Sequence, residues 1–228
     1  MIFKDQYDPS FGRKSVFTIC ITISVSVSIL LMYSEHLPSF PWLQPYQISG
    51  DFVRRTIIAA CLIIYFVRLQ VTVWVFQKRQ WTWLEAITIS ILMTFALYAF
   101  AKLGGNNKQG VGIIEMIGVL LYVSGSYINT YSESTRHVWK LKAENRGRLY
   151  TRGLFRLAMH INYFGDILLF TGFAMITGRP VAYIIPLAMT LNFIFNIIPL
   201  LDGYLEKKYG DEFRDYSKKT KKLIPLIY

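Results

Sequence analysis

The chain has 228 residues, 53% hydrophobic and 17% charged, with a formal net charge of +11. Its two cysteines, Cys20 and Cys61, sit inside apolar runs with no histidine nearby, which excludes a disulfide framework or a zinc site. His36, His137 and His160 lack metal-ligand spacing, so no metal is expected, and the basic residues are not interleaved with stacking aromatics on any nucleic-acid-binding module.

The first apolar run, Ser15 to Tyr33, holds nineteen residues without a charge. At about 1.5 Å per residue a helix of that length crosses a hydrocarbon core of roughly 30 Å. No small-x-small cleavage site follows it, so it is expected to be a retained span and not a signal peptide. Further apolar segments follow at 56–76, 82–103, 111–131, 163–178 and 181–201. Backbone polar groups in lipid must be satisfied internally, so each segment is read as a helix. The fifth is short and runs into Gly178-Arg179-Pro180, which predicts a helical hairpin with the sixth.

Charge placement orders these spans. Lys4, Arg13 and Lys14 precede the first, and Lys78 and Arg79 follow the second. Seven arginines and lysines lie between 132 and 162, and the tail carries seven more from Lys207 to Lys222. Six spans with both termini in the cytoplasm put all four basic segments on one side. Arg54 and Arg55 break the pattern and are expected to snorkel from a helix end. The fold class is therefore an all-α, polytopic membrane helical bundle of about six transmembrane helices, surrounded by lipid bilayer.

Polar residues inside these spans are costly and mark sites. Asn162 and Asp166, four apart at the start of the fifth span, share a face with Leu169. Gly165 beside them leaves room for a ligand or a neighbouring backbone. N-capping is the structural alternative for Asn162. Asn192 and Asn196 lie one turn apart in the sixth span, with Asp202 and Tyr204 beyond, and interhelical hydrogen bonding explains them as well as ligand binding does. Asn129, Ser132 and Glu133 stand where the fourth span exits. All three groups fall at the same ends of the last three spans, beside Lys140, Arg152 and Arg156, an arrangement suited to a large anionic cofactor. Arg68 lies mid-span, where Glu85 is an available ion-pair partner. No Gly-rich phosphate loop or hydrolase nucleophile motif is present.

The stretch from Asn129 to Tyr228 resembles the C-terminal domain of steroid 5α-reductases and their bacterial relatives. The matching features are Asn129 and Glu133 in Asn-x-x-Ser-Glu, Gly153-Leu154-Phe155, Asn162-Tyr163-Phe164-Gly165-Asp166, Phe213-Arg214-Asp215-Tyr216 and the final Leu223-Ile224-Pro225-Leu226-Ile227-Tyr228. The superfamily also holds sterol reductases and isoprenylcysteine carboxyl methyltransferases. Many members carry Arg-His-Pro where this chain has Met159-His160-Ile161, and the methyltransferases a Glu-Glu pair where it has Asp202-Gly203. Both departures weigh against a methyltransferase, and Lys208-Tyr209-Gly210-Asp211 looks like an insertion relative to the reductases.

The resemblance implies divergent N-terminal helices on the substrate side, residues 1–110, and a cofactor-binding region, residues 111–228. It implies NADPH-dependent reduction of a lipophilic enone or carbon–carbon double bond. S-adenosylmethionine-dependent methylation of a lipid or prenylated substrate is the alternative, and a membrane scaffold that has lost its cofactor is the third reading. The implied cofactor contacts are Asn129, Glu133, Lys140, Asn162, Asp166 and Tyr204, joined by Arg156, His160, Tyr163, Gly165, Asn196 and Asp202. A glutamate and a tyrosine of earlier spans act as proton donors in relatives, for which Glu85 and Tyr98 are the candidates. They stand nearly 20 Å apart on one helix, so only one can reach a given oxygen. The implied location is a bacterial cell membrane in preference to the endoplasmic reticulum.

Overall fold

The structure is a computed structural model that describes residues 8–34 and 46–228. His36 and most of the first loop lie outside the described residues. Helix α1 spans Phe11–Tyr33, α2 Phe52–Val71, α3 Trp83–Gly105, α4 Ile113–Leu141 and α5 Ile161–Thr177. The last long helix is built from α6 (Ile184–Asn192), a π turn (Phe193–Ile197) and α7 (Ile198–Tyr209), and a short α8 (Asp211–Lys219) follows. The fold is the expected helical membrane bundle. Among the described residues five helical segments are long and apolar enough to cross a membrane, and α5, with 17 residues, is a shorter sixth.

Local chemistry sets the helix ends. The Asp51 carboxylate accepts from Arg54 N at 2.8 Å and starts α2 four residues earlier than hydropathy suggests. Thr82 caps α3 by accepting from Glu85 N at 3.1 Å. α5 ends at Gly178, which takes the left-handed conformation (φ 61°) that favours glycine, and the Pro180–Tyr183 turn then makes the expected hairpin. α4 runs ten residues past its apolar stretch, and α7 eight residues past its own, as polar extensions. Pro199 lacks the N–H that would continue the ladder, and the π turn ends two residues before it.

α4 and α5 pack backbone to backbone. A Cβ on Gly125 would sit 2.4 Å from Gly165 O, and one on Gly172 would sit 2.4 Å from Gly118 O. In lipid there is no hydrophobic drive between helices, so close approach at small residues holds such pairs together. Gly165 therefore makes room for the α4 backbone.

The two ends of the bundle differ. At one end, Asp51 N donates to Asn107 O at 2.9 Å, and Asn107 Nδ2 donates to Thr177 O at 3.1 Å. Arg54, fully buried, donates to Ile176 O, Gln109 O, Gly110 O and Glu115 Oε1. Arg55 donates to Met32 O at 2.5 Å and is also buried. The expectation that these arginines snorkel is corrected: the carbonyls at helix ends draw both guanidinium groups inward. At the other end, Lys14 Nζ donates to Gln77 O at 2.7 Å, Arg13 Nη1 to Trp81 O at 2.5 Å, and the Phe76 and His137 rings meet at 5.5 Å. The described N-terminal residues, the α2–α3 loop, the α4–α5 loop and the tail thus share one face, as the charge pattern required.

Candidate active site

A polar seam joins α2, α4 and α5 on the side of the basic face. Arg68 Nη2 donates to Asp166 Oδ1 at 3.0 Å. Asn162 Nδ2 donates to Glu133 Oε1 at 2.8 Å, and Asn129 Nδ2 donates to Asn162 O at 3.0 Å. Arg136 closes the far oxygen of Glu133. Glycine packing creates this register, because Gly165 lies against Asn129 N and Gly125 O. Arg68, Asn129 and Glu133 are all buried. Two atoms of the seam, Asn129 Oδ1 and Arg68 Nε, are buried without a hydrogen-bond partner. A buried acceptor and donor left open beside satisfied neighbours are what a ligand would complete.

The mouth of the seam is held by the tail. His160 Nε2 lies 2.8 Å from Asp202 Oδ1, and Lys222 Nζ lies 3.3 Å from Asp202 Oδ2. Met159 N and His160 N donate to Lys221 O and Lys222 O at 2.7 and 2.8 Å. Tyr216 OH donates to Phe155 O at 2.5 Å. Burial pushes the Tyr216 phenol well above its usual range, which keeps it a donor. Tyr163 stacks between His160 and Phe193, with centroid distances of 5.7 and 4.6 Å.

The structure therefore gathers Asn129, Glu133, Asn162 and Asp166 around one seam, with His160, Tyr163 and Asp202 at its mouth. The other expected residues sit differently. Asn162 does not cap α5; His160 takes that position and the Asn162 side chain reaches Glu133. Lys140 donates to Arg148 O and Tyr209 OH at 2.5 and 2.8 Å and holds its own loop together. Arg156 is exposed beside α8. Asn196 donates to Asn192 Oδ1 at 3.0 Å on an exposed face, so the pair bonds within its helix and not between helices. Tyr204 accepts from Lys208 at 3.0 Å.

Glu85 is paired with Arg79, not with Arg68, because both lie at the α2–α3 turn while Arg68 is deeper in the bundle. Tyr98 packs at the edge of the apolar core. Neither has a hydrogen bond or ion pair to a seam residue among the described residues. Arg68 and Lys222 complete the constellation. Arg68 was visible in the sequence as a mid-span charge, whereas Lys222 is one of several tail lysines with no local mark.

Comparisons with known proteins agree with the resemblance to this superfamily. The chain is 24% identical over 119 residues to a probable protein-S-isoprenylcysteine O-methyltransferase of Oryza sativa subsp. indica, covering 50% of this chain and 62% of that protein. It is 29% identical over 111 residues to the 3-oxo-5-alpha-steroid 4-dehydrogenase 2 of Rattus norvegicus, covering 49% and 42%. It is 31% identical over 131 residues to the probable O-methyltransferase ustE of Ustilaginoidea virens, covering 57% and 45%. The chain thus spans less than two thirds of the length of these relatives, which come from both the reductase and the methyltransferase branches. Over residues 66–220, a stretch that takes in Arg68 and the whole seam, the chain matches the family described as "Protein of unknown function (DUF1295)", and it belongs to that family.

Proposed function

We propose that the protein is a membrane-embedded enzyme that holds a nucleotide cofactor along the Arg68–Asn129–Glu133–Asn162–Asp166 seam and acts on a lipophilic substrate. The observation that carries this reading is the open buried acceptor Asn129 Oδ1, beside the paired amide and carboxylates of the seam; Arg68 Nε is open as well, as are the Nε atoms of Arg54 and Arg55 at the other end. An amide- or amine-bearing cofactor fits Asn129 Oδ1, and a substrate oxygen fits Arg68 Nε.

The reaction proposed is NADPH-dependent reduction of an enone. NADPH supplies a hydride when bound. Arg68 holds the substrate carbonyl oxygen and stabilises the negative charge that builds on it. Its guanidinium cannot act as the acid, because it stays protonated throughout. Tyr163, on the helix that carries Asp166, gives its hydroxyl proton to the α-carbon, which balances a hydride delivered at the β-carbon. Asp166 fixes the guanidinium, and the His160–Asp202–Lys222 chain keeps Tyr163 in its stack.

The test is NADPH oxidation by the purified protein in detergent with a lipophilic enone. Turnover that is lost in Tyr163→Phe while NADPH still protects against heat supports the assignment. Full turnover in that variant removes Tyr163 from the role.

Methyl transfer from S-adenosylmethionine is the second reading, favoured by the methyltransferase names among the relatives. There Arg68 would orient a substrate carboxylate. Incorporation of label from methyl-labelled S-adenosylmethionine into a prenylcysteine, without NADPH oxidation, selects it.

A further inference from the structure

The loop after α4 forms a second basic site, separate from the seam. A surface groove is lined by Trp139, Lys142, Glu144, Asn145, Arg148 and Arg152. Asn145, which is buried, builds its floor: Asn145 Nδ2 donates to Trp139 O at 2.9 Å, and Asn145 O accepts from Arg148 N at 3.2 Å. Lys140 Nζ donates to Arg148 O at 2.5 Å and holds the Arg148 backbone in place. The side chains of Lys142, Arg148 and Arg152 are exposed, and none is paired with a carboxylate among the described residues. With Glu144 the groove still carries an excess of two positive charges.

Its surroundings are apolar and interfacial. Val138 and Leu141, one turn apart on α4 and next in sequence to the lining residues Trp139 and Lys142, are 56% and 71% exposed. α4 has 29 residues and is therefore about 43 Å long, against roughly 30 Å of hydrocarbon, so its last turns lie at headgroup depth. The rings of Trp139, Tyr150 and Phe155 follow one another at 5.2 and 5.5 Å, and Arg136 lies over Phe155. None of the groove's lining residues belongs to the seam.

From these observations we infer that the groove binds the phosphate of an anionic phospholipid, with the acyl chains against Val138 and Leu141. Guanidinium and ammonium groups at an apolar rim suit a phosphodiester presented by a bilayer, whereas a free phosphate would gain nothing from the exposed aliphatic surface. The inference stands apart from the proposed reaction.

The test uses the full chain in phosphatidylcholine nanodiscs with and without phosphatidylglycerol, read by thermal melting and by lipid retained in native mass spectrometry. Phosphatidylglycerol should raise the melting temperature of the parent and stay bound. In the Arg148→Gln/Arg152→Gln double variant retention should fall by about tenfold or more, the scale of one charge-assisted hydrogen bond lost. Lys142→Gln should show an intermediate loss. The control Lys207→Gln/Lys218→Gln removes the same charge from the tail and should retain lipid like the parent. Equal loss in the control would mean diffuse attraction and overturn the inference. So would inorganic phosphate matching the phosphatidylglycerol shift in phosphatidylcholine discs. A double variant that keeps its lipid but loses protection by NADPH or S-adenosylmethionine would assign the groove to the cofactor instead.

Discussion

Arg68 of α2 and Asp166 of α5 meet across 98 residues of sequence, with Nη2 3.0 Å from Oδ1 and both side chains mostly withdrawn from solvent. The pair ties the second span to the fifth and fixes a mid-bundle cation at the seam. Asp166→Ala should cost about 3 kcal/mol, because it leaves a buried guanidinium without its counter-charge. A double variant with Arg68→Met should recover part of that loss. Unfolding in detergent measures both, and equal instability of the double and single variants would mean that the pair is not the cause.

The glycine contact between α4 and α5 makes a second prediction. Gly125→Val drives a side chain into Gly165 O and should destabilise by about 1–3 kcal/mol or more. It should also separate Asn129 from Asn162 and weaken cofactor protection. Gly203→Ala, where a Cβ meets nothing within 4 Å, is the control and should be neutral to slightly stabilising.

At the opposite end of the bundle, Arg54→Leu removes four hydrogen bonds at once and strands Glu115. It should cost about 3–5 kcal/mol. Cofactor protection, normalised to the variant's own melting point, should be unchanged. Loss of that protection at permissive temperature would link the two ends functionally.

Asp202→Asn should loosen the tail. It weakens the bonds to His160 and Lys222, each worth about 1–3 kcal/mol when charged. Hydrogen exchange should speed up at Met159 and His160, whose amides bond to Lys221 and Lys222. Unchanged protection there would mean that the backbone bridge alone holds the tail.

Much of this was legible in the sequence, for identifiable reasons. Apolar runs longer than a bilayer crossing marked the spans, and the alternation of Lys and Arg placed Arg13, Arg79, Arg148 and Lys222 on one face. Asn129, Glu133, Asn162 and Asp166 stood out because polar groups in a span need a reason. What failed was pairing. Arg68 has Glu85 nearer in sequence, but the register of α2 against α5 depends on glycine contacts that hydropathy does not encode. Arg54 and Arg55 looked like interfacial residues, since sequence does not reveal that open carbonyls of α1 and α5 lie beside them. The polar extensions of α4 and α7 were invisible to an apolar-run reading, as was the tail's return to His160.

The most direct measurement of the central claim is the melting temperature of the detergent-purified protein with NADPH and with S-adenosylmethionine, for the parent and for Asn129→Ala. A ligand that binds only the folded state raises its stability, by about 2.7 kcal/mol at a hundredfold excess over its dissociation constant. The account predicts a clear shift with NADPH, none with S-adenosylmethionine, and loss of the NADPH shift in Asn129→Ala. A well-folded parent that shifts with S-adenosylmethionine alone, or with neither, would contradict it.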